Sequence, residues 1–313
     1  MDNFLLCFHA ITPLLLLMLL GYGLKRSNFI PAEGFAAMDK LSFHILIPAM
    51  LFHNVYNADF SSQFHLKGIL FMELGILGVF LAAFLLVPRL LPNRNADIAT
   101  VIHGISHGNL AVLGMPLILN LFGSEQAAVY SILMACSSPL INPLMVFNHV
   151  YFQGDKIHFR SLLRNIFTSP FLVGTLLGLG CNLLGIRFPT FLNTTISSLK
   201  SIATPLCLIS LGGSFSFGQI REFFPLVLHS VLTKCVWIPA VILSIAVALG
   251  FRGLLLASLL VIFCCPSATA TYSFCTGYCG NPKLASQIVV YSTLFSIFSM
   301  FCWLFAFLQL GLI

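Results

Sequence analysis

Apolar runs of about 20 residues succeed one another along this chain, parted only by short polar connections. Twenty residues of helix rise about 30 Å, the thickness of a bilayer's hydrocarbon core. Hydrophobic residues make up 58% of the chain and charged residues 8%, where a soluble domain carries roughly 25% charge. A soluble chain of 313 residues with so few charges could not clothe its own surface. The pattern therefore predicts an all-α polytopic membrane protein, because lipid admits only segments that satisfy their backbone internally.

Length and punctuation divide the chain into ten expected spans: about 4–24, 39–57, 66–88, 97–122, 126–152, 163–184, 190–213, 223–250, 253–279 and 283–311. The first is read as a span and not a cleaved signal, since Asp2 stands where a basic n-region belongs. Loops after the odd-numbered spans hold Lys25, Arg26, Lys40, Arg89, Arg94, Lys156, Arg160, Arg164, Arg221 and Lys283. The other side holds only Lys67, Arg187 and Arg252. Positive charge stays in the cytoplasm, which predicts both termini on the extracytoplasmic side of the cell membrane.

A shift of about 157 residues superimposes Pro13 on Pro170, Gly21 on Gly178, Gly23 on Gly180, Pro48 on Pro205 and Gly123 on Gly280. That offset equals five spans, an odd number, so the second copy would enter the membrane from the opposite side. Two inverted five-helix repeats are expected, 1–156 and 157–313. Carriers built this way commonly bind their substrate near the midplane, where interrupted helices meet.

Spans 4 and 9 carry the interruptions. "HGNLAVLGMP" (107–116) and "CCPSATATYS" (264–273) set proline and glycine amid lipid-grade sequence, and proline removes a backbone donor. Freed backbone groups at that depth survive only in protein or in a wet cavity. Half-helix ends would then offer N–H groups to an anion. Gly108, Asn109, Pro116, Pro266, Ser267, Thr269 and Thr271 are the expected substrate-binding residues, with Asn109 offering an amide and Ser267, Thr269 and Thr271 hydroxyls. A proline kink whose polar groups bond within their own helix is the plainer alternative.

Ionisable residues inside a membrane are suspected of function by default. Lys234 in span 8, Glu73 in span 3, and His103 and His107 one turn apart before the break are candidates for coupling or charge compensation. A Glu73–Lys234 pair is one structural alternative, and packing histidines are another. Ser137, Ser138, Asn142 and Asn148 give span 5 a polar stripe. Ten cysteines without a CxxC pair read as packing residues, and nothing calls for a metal, a cofactor or nucleic acid. No HExxH, G-x-S-x-G or paired intramembrane carboxylate supports an enzyme. A receptor for a small organic acid is the competing class, and it lacks any visible output domain.

"LSFHILIPAMLFHNV" (41–55), "GNLAVLGMPLILNLFG" (108–123), "ATPLCLISLGG" (203–213) and "CPSATATYSFCTGYCG" (265–280) together resemble the bacterial branch of the auxin efflux carrier family. The resemblance covers essentially the whole chain. It implies the ten-helix fold shared with bile-acid/sodium symporters, with spans 1, 2, 6 and 7 as scaffold and spans 3–5 and 8–10 as a transport domain with crossed spans 4 and 9. It implies a secondary transporter of organic anions such as malate, malonate or an auxin-like acid, and a homodimer. Asn109 and Pro116 match the crossover asparagine and proline of span 4, Pro266 the proline of span 9, and Lys234 with Pro239 the basic residue and proline of span 8. The chain departs from many bacterial relatives in having Ala270 in place of an asparagine and Thr276 in place of an acid.

Overall fold

The structure, a computed structural model, describes residues 2–57, 65–154, 170–215 and 223–313. Four of the cations in the charge tally, Lys156, Arg160, Arg164 and Arg221, lie outside the described residues. Among the described residues every regular element is helical: α1 (Asp2–Arg26), α2 (Ala32–Leu41), α3 (Ile47–Tyr56), α4 (Leu66–Leu90), α5 (Asn95–Ser106), α6 (Met115–Gln153), α7 (Pro170–Leu183), α8 (Thr190–Ser214), α9 (Phe224–Leu232), α10 (Ile238–Ala248), α11 (Gly253–Cys264), α12 (Ala270–Gly277) and α13 (Pro282–Gln309).

Among the described residues seven helical stretches are long and apolar enough to cross a membrane, and they match expected spans 1, 2, 3, 5, 7, 8 and 10. The other three expected spans correspond to shorter apolar helices, Leu110–Gly123, Val173–Leu183 and Gly253–Cys264. In span 6 the residues before Pro170 lie outside the described residues. Spans 4 and 9 are short for another reason: each is interrupted. Span 4 also ends on Gly123, whose φ of +76° is a left-handed conformation that only glycine adopts without strain; α6 runs helical on either side of it.

Among the described residues three spans contain a π turn, at Ser42–Leu46, Leu110–Gly114 and Thr233–Trp237. Each is followed two residues later by a proline: Pro48, Pro116 and Pro239. A proline ring clashes with the carbonyl one turn back and offers that carbonyl no donor. Widening the turn by one residue moves the carbonyl aside and lets the helix continue. π turns concentrate at functional sites, and the third one holds Lys234.

Packing divides the chain into two compact units. The first comprises Met1–His65, Ala111–Ser138 and Phe167–Phe215, so it holds α1–α3, α7 and α8 with the first part of α6. Its helices meet backbone to backbone. A Cβ added to Gly21 of α1 would stand 1.9 Å from the Ile209 carbonyl oxygen of α8, and one added to Gly212 the same 1.9 Å from that of Met18. On α7, Gly174 and Gly178 abut the carbonyls of Pro48 and Phe52 at 2.6 Å. In lipid, where the hydrophobic effect does not drive helices together, such small-residue contacts supply the packing. Polar tips close the helix ends: Lys25 Nζ donates to the Phe215 carbonyl (2.8 Å), and Asn182 Nδ2 to that of Tyr56 (2.7 Å).

The second unit comprises Leu66–Leu110, Pro139–Ile166 and Ser216–Ile313. Its centre is α5, buried from Asp97 to Ser106. The Asp97 carboxylate anchors the start of that helix, accepting from Arg94 Nε (2.7 Å) and from Asn281 Nδ2 (2.7 Å). Asn281 in turn caps α13 by accepting from the Leu284 N–H. Asn148 Nδ2 of α6 donates to the Ala99 carbonyl (2.8 Å). Side-chain hydrogen bonds hold this unit where bare glycines hold the first.

Candidate functional site

Two buried twelve-residue helices of the second unit, α5 and α11, each rise only about 18 Å, well short of a bilayer's hydrocarbon core. Both stop abruptly. After Ser106 the backbone turns extended at His107 (φ −101°, ψ 111°); after Cys264 it does so at Cys265 (φ −54°, ψ 138°). The backbone groups freed on one side find partners on the other. The Asn109 N–H donates to the Pro266 carbonyl (2.8 Å) and the Ala268 N–H to the His107 carbonyl (2.9 Å), so that Gly108 and Ser267 form one antiparallel bridge. This answers the cost of unpaired peptide groups away from water. A Cβ on Gly108 would meet the Ile262 carbonyl oxygen and Cys265 Cβ at 3.4 Å, so a small residue suits the close approach.

Further bonds tie the bridge to its surroundings. Ser267 Oγ donates to the Gly104 carbonyl of α5 (2.6 Å), and the Ser267 N–H donates to Ser292 Oγ of α13 (3.1 Å). Ser267 was expected to present its hydroxyl to a ligand; that hydroxyl is instead donated to α5. Other polar atoms beside the break have no partner. Asn109 Nδ2, Ser106 Oγ and Thr271 Oγ1 are buried without a hydrogen bond. An orphaned buried polar atom costs about 1–3 kcal/mol, so three flanking one bridge mark a place where a ligand would be welcome. Thr269, half-buried, immediately precedes α12, whose first turn closes on the break: the Thr271 N–H donates to the Ala268 carbonyl (3.0 Å) and the Tyr272 N–H to that of Thr269 (3.2 Å).

Lys234 is buried at 3% exposure in the π turn. It stands within electrostatic range of His107 on one broken segment and of Cys264 and Cys265 on the other. The Glu73–Lys234 pair is not formed: among the described residues the only ion pair is Arg94–Asp97, and Glu73 Oε2 is buried with no hydrogen-bond partner. Pro116 is buried in the first unit, at the second position of α6. Among the described residues no group of three His, Cys, Asp or Glu could hold a metal ion.

His103 and His107 are joined by a 3.1 Å contact between Nε2 and Nδ1. The structure adds a partner that the sequence did not single out: His149 Nε2 lies 2.9 Å from His103 Nδ1, and His149 Nδ1 bonds the Cys279 carbonyl. The signal was present in the polar stripe of span 5, where His149 follows Asn148. In the first unit an open cleft of about 480 Å³ is lined by His53, Asn57, Asn193, Thr194, Ser197, Ser198 and Ser201. It contains none of the residues expected to bind substrate.

Comparison with known sequences agrees with a transport protein. The profile of a family described as membrane transport protein matches twice, on residues 6–154 and 155–304. An uncharacterized transporter of Methanothermobacter thermautotrophicus is 27% identical over 305 residues, 94% of this chain and 96% of that protein. One from Methanocaldococcus jannaschii is 24% identical over 299 residues, 92% and 95% of the two chains. With seven helices among the described residues long and apolar enough to cross a membrane and a profile matched over nearly its whole length, the chain belongs to the membrane transport protein family, that of the auxin efflux carriers, and is a multi-pass membrane transporter.

Proposed function

We propose that this transporter is a secondary carrier of a small organic carboxylate, held where spans 4 and 9 break and cross, and moved by alternating access. The observation that carries the reading is the bridge between Asn109 and Pro266, flanked by orphaned polar atoms and served by Lys234. A carboxylate taken into a low-dielectric site loses several kcal/mol of hydration. The Asn109 amide, the Thr271 hydroxyl and the Lys234 ammonium together offset that loss. Nothing in the set binds bidentately, which suits a carrier that must release its cargo.

Two inverted repeats, 1–156 and 157–313, give this arrangement its symmetry. In support, the family profile matches once in each half, and the packing of α1 on α8 has a counterpart in α7 on α3. Adding 157 to Lys25 gives Asn182, and both residues donate to the carbonyl at the end of the neighbouring helix. Spans 1, 2, 6 and 7, which fall in one compact unit, act as scaffold. A cell-membrane location, cytoplasmic odd-numbered loops and a homodimer complete the reading.

Uptake of labelled malate, malonate and an aromatic acetate into proteoliposomes containing only this protein tests it. Asn109→Ala and Pro266→Ala are expected to lower the rate for the transported acid at least tenfold while the protein stays monodisperse. Near-wild-type rates in both variants overturn the site, and no flux of any acid overturns the carboxylate.

A further inference from the structure

We infer that His107, His103 and His149 form a proton-binding chain, which takes up one proton at the break and carries its charge to the Cys279 loop. The geometry dictates the starting state. A carbonyl oxygen only accepts, so His149 Nδ1, bonded to the Cys279 carbonyl, bears a hydrogen. In neutral His149, Nε2 is then bare, and His103 Nδ1 donates to it across 2.9 Å. His103 Nε2 is bare in turn, and His107 Nδ1 donates to it across 3.1 Å. One backbone carbonyl thus sets three tautomers, all with hydrogen on Nδ1, and leaves His107 Nε2 as the free acceptor. His103 and His149 are 0% exposed; His107 alone retains accessible surface.

Uptake follows without movement of any heavy atom. A proton bonds to His107 Nε2. The His107 Nδ1 hydrogen passes to His103 Nε2, and the His103 Nδ1 hydrogen passes to His149 Nε2. At each transfer one N–H bond breaks and one forms. His107 and His103 end neutral with hydrogen on Nε2, His149 ends as a cation, and one proton has entered with nothing leaving.

The surroundings favour that end of the chain. Lys234 of the π turn stands within electrostatic range of His107, of Cys264 at the end of α11 and of Cys265 just beyond it, and an ammonium there repels a cation on His107. His149 meets the Cys279 carbonyl, which accepts from its Nδ1–H in either state, and the ring of Phe274 (5.7 Å), which His103 also meets edge-on (4.9 Å). Of the other titratable groups on these elements, Cys275 bonds Thr100 and Asp97 is held by Arg94 and Asn281. Resting on the reading of the break as a carboxylate site, the chain couples transport to protons. An anion beside His107 and a proton on the chain stabilise each other, and linkage makes that effect reciprocal.

Nitrogen NMR of full-length protein labelled with ¹⁵N-histidine, in lipid nanodiscs without any acid substrate, tests the proton site by itself. Signals are assigned by His107→Gln, His103→Gln and His149→Gln. At pH 8 all three rings are expected as Nδ1–H tautomers. On acidification His149 is expected to become the cation while His107 and His103 switch to Nε2–H. In His103→Gln the charge is expected to stay on His107. An Nε2–H tautomer on His103 or His149 at pH 8, or a cation that forms on His107 in the wild type, overturns the inference whatever the flux assays give. An intact chain in a protein that moves no carboxylate overturns the substrate reading alone.

Discussion

The two compact units join their helices by opposite means. In the first, glycines let backbones touch: Gly21 and Gly212 leave no room for even one carbon before a carbonyl oxygen. In the second, glycines face side-chain tips, as Gly75 faces the Phe263 ring and Gly104 the Ile288 methyl, and hydrogen bonds such as Ser267 to Gly104 and Asn148 to Ala99 do the joining. Contact between backbones is stiff and has one geometry. Hydrogen bonds around a break leave orphaned atoms that a ligand can use. The contrast teaches that one chain can join its helices in two ways, by bare backbone contact in one unit and by side-chain bonds around a break in the other.

The sharpest attack on this contrast is to put a branched side chain into the backbone contact. Gly21→Val and Gly212→Val each place Cβ 1.9 Å from a carbonyl oxygen that belongs to another helix. No rotamer relieves that clash, so α1 and α8 must separate. Overpacking a core costs about 1–3 kcal/mol where side chains can yield; a backbone clash exceeds that range. Both variants are expected to lose most of their monodisperse yield or to melt far below wild type in a fluorescence-detected thermal scan. Melting alongside wild type breaks the claim that bare backbone contact holds this unit.

A subtler probe compares two buried hydroxyls at the same break. Ser267 Oγ has a partner and Thr271 Oγ1 has none. Ser267→Ala is expected to destabilise by about 1 kcal/mol, the usual net worth of a hydrogen bond in this setting. Thr271→Val removes an orphaned polar atom at nearly constant shape, and is expected to leave stability unchanged or raise it by up to about 1 kcal/mol. If the break is the substrate site proposed above, Thr271→Val is nonetheless expected to slow transport in flux assays, because the hydroxyl has no partner in the fold. Equal losses of stability in the two variants would erase the distinction between structural and available hydroxyls.

What the sequence disclosed follows from how strongly each feature is written in residue type. Lipid exposure demands apolar length, so the seven long apolar helices among the described residues were legible, although the second begins at Ala32 and not near residue 39. Prolines and glycines announce interruptions, so the breaks at Gly108–Asn109 and Pro266 were legible too. Pairing is a property of space, and composition does not encode it. Nothing local to Ser267 says that its hydroxyl goes to Gly104, and nothing local to Glu73 says that Lys234 goes elsewhere. His149 escaped notice because a single histidine in an apolar helix looks the same whether it packs or relays. The π turns before Pro48, Pro116 and Pro239 were hidden for a different reason: proline predicts a disturbance without stating whether the helix bends, breaks or widens.

The smallest expected effect is the control that gives the first its meaning. Gly23 lies two residues beyond Gly21 in α1, and a Cβ there meets nothing within 4 Å. Alanine outranks glycine in a helix by roughly 1 kcal/mol in water, because glycine loses more backbone freedom on folding. Gly23→Ala is therefore expected to be neutral to slightly stabilising, with a melting temperature at or just above wild type and unchanged flux. Sequence pattern treats the two glycines alike, since both recur at the 157-residue offset as Gly178 and Gly180. The structure separates them: Gly178 abuts the Phe52 carbonyl, while Gly180, like Gly23, meets nothing. If Gly23→Ala proved as damaging as Gly21→Val, the loss would come from helix α1 itself and not from its contact with α8, and the comparison between the units would have to rest on other positions.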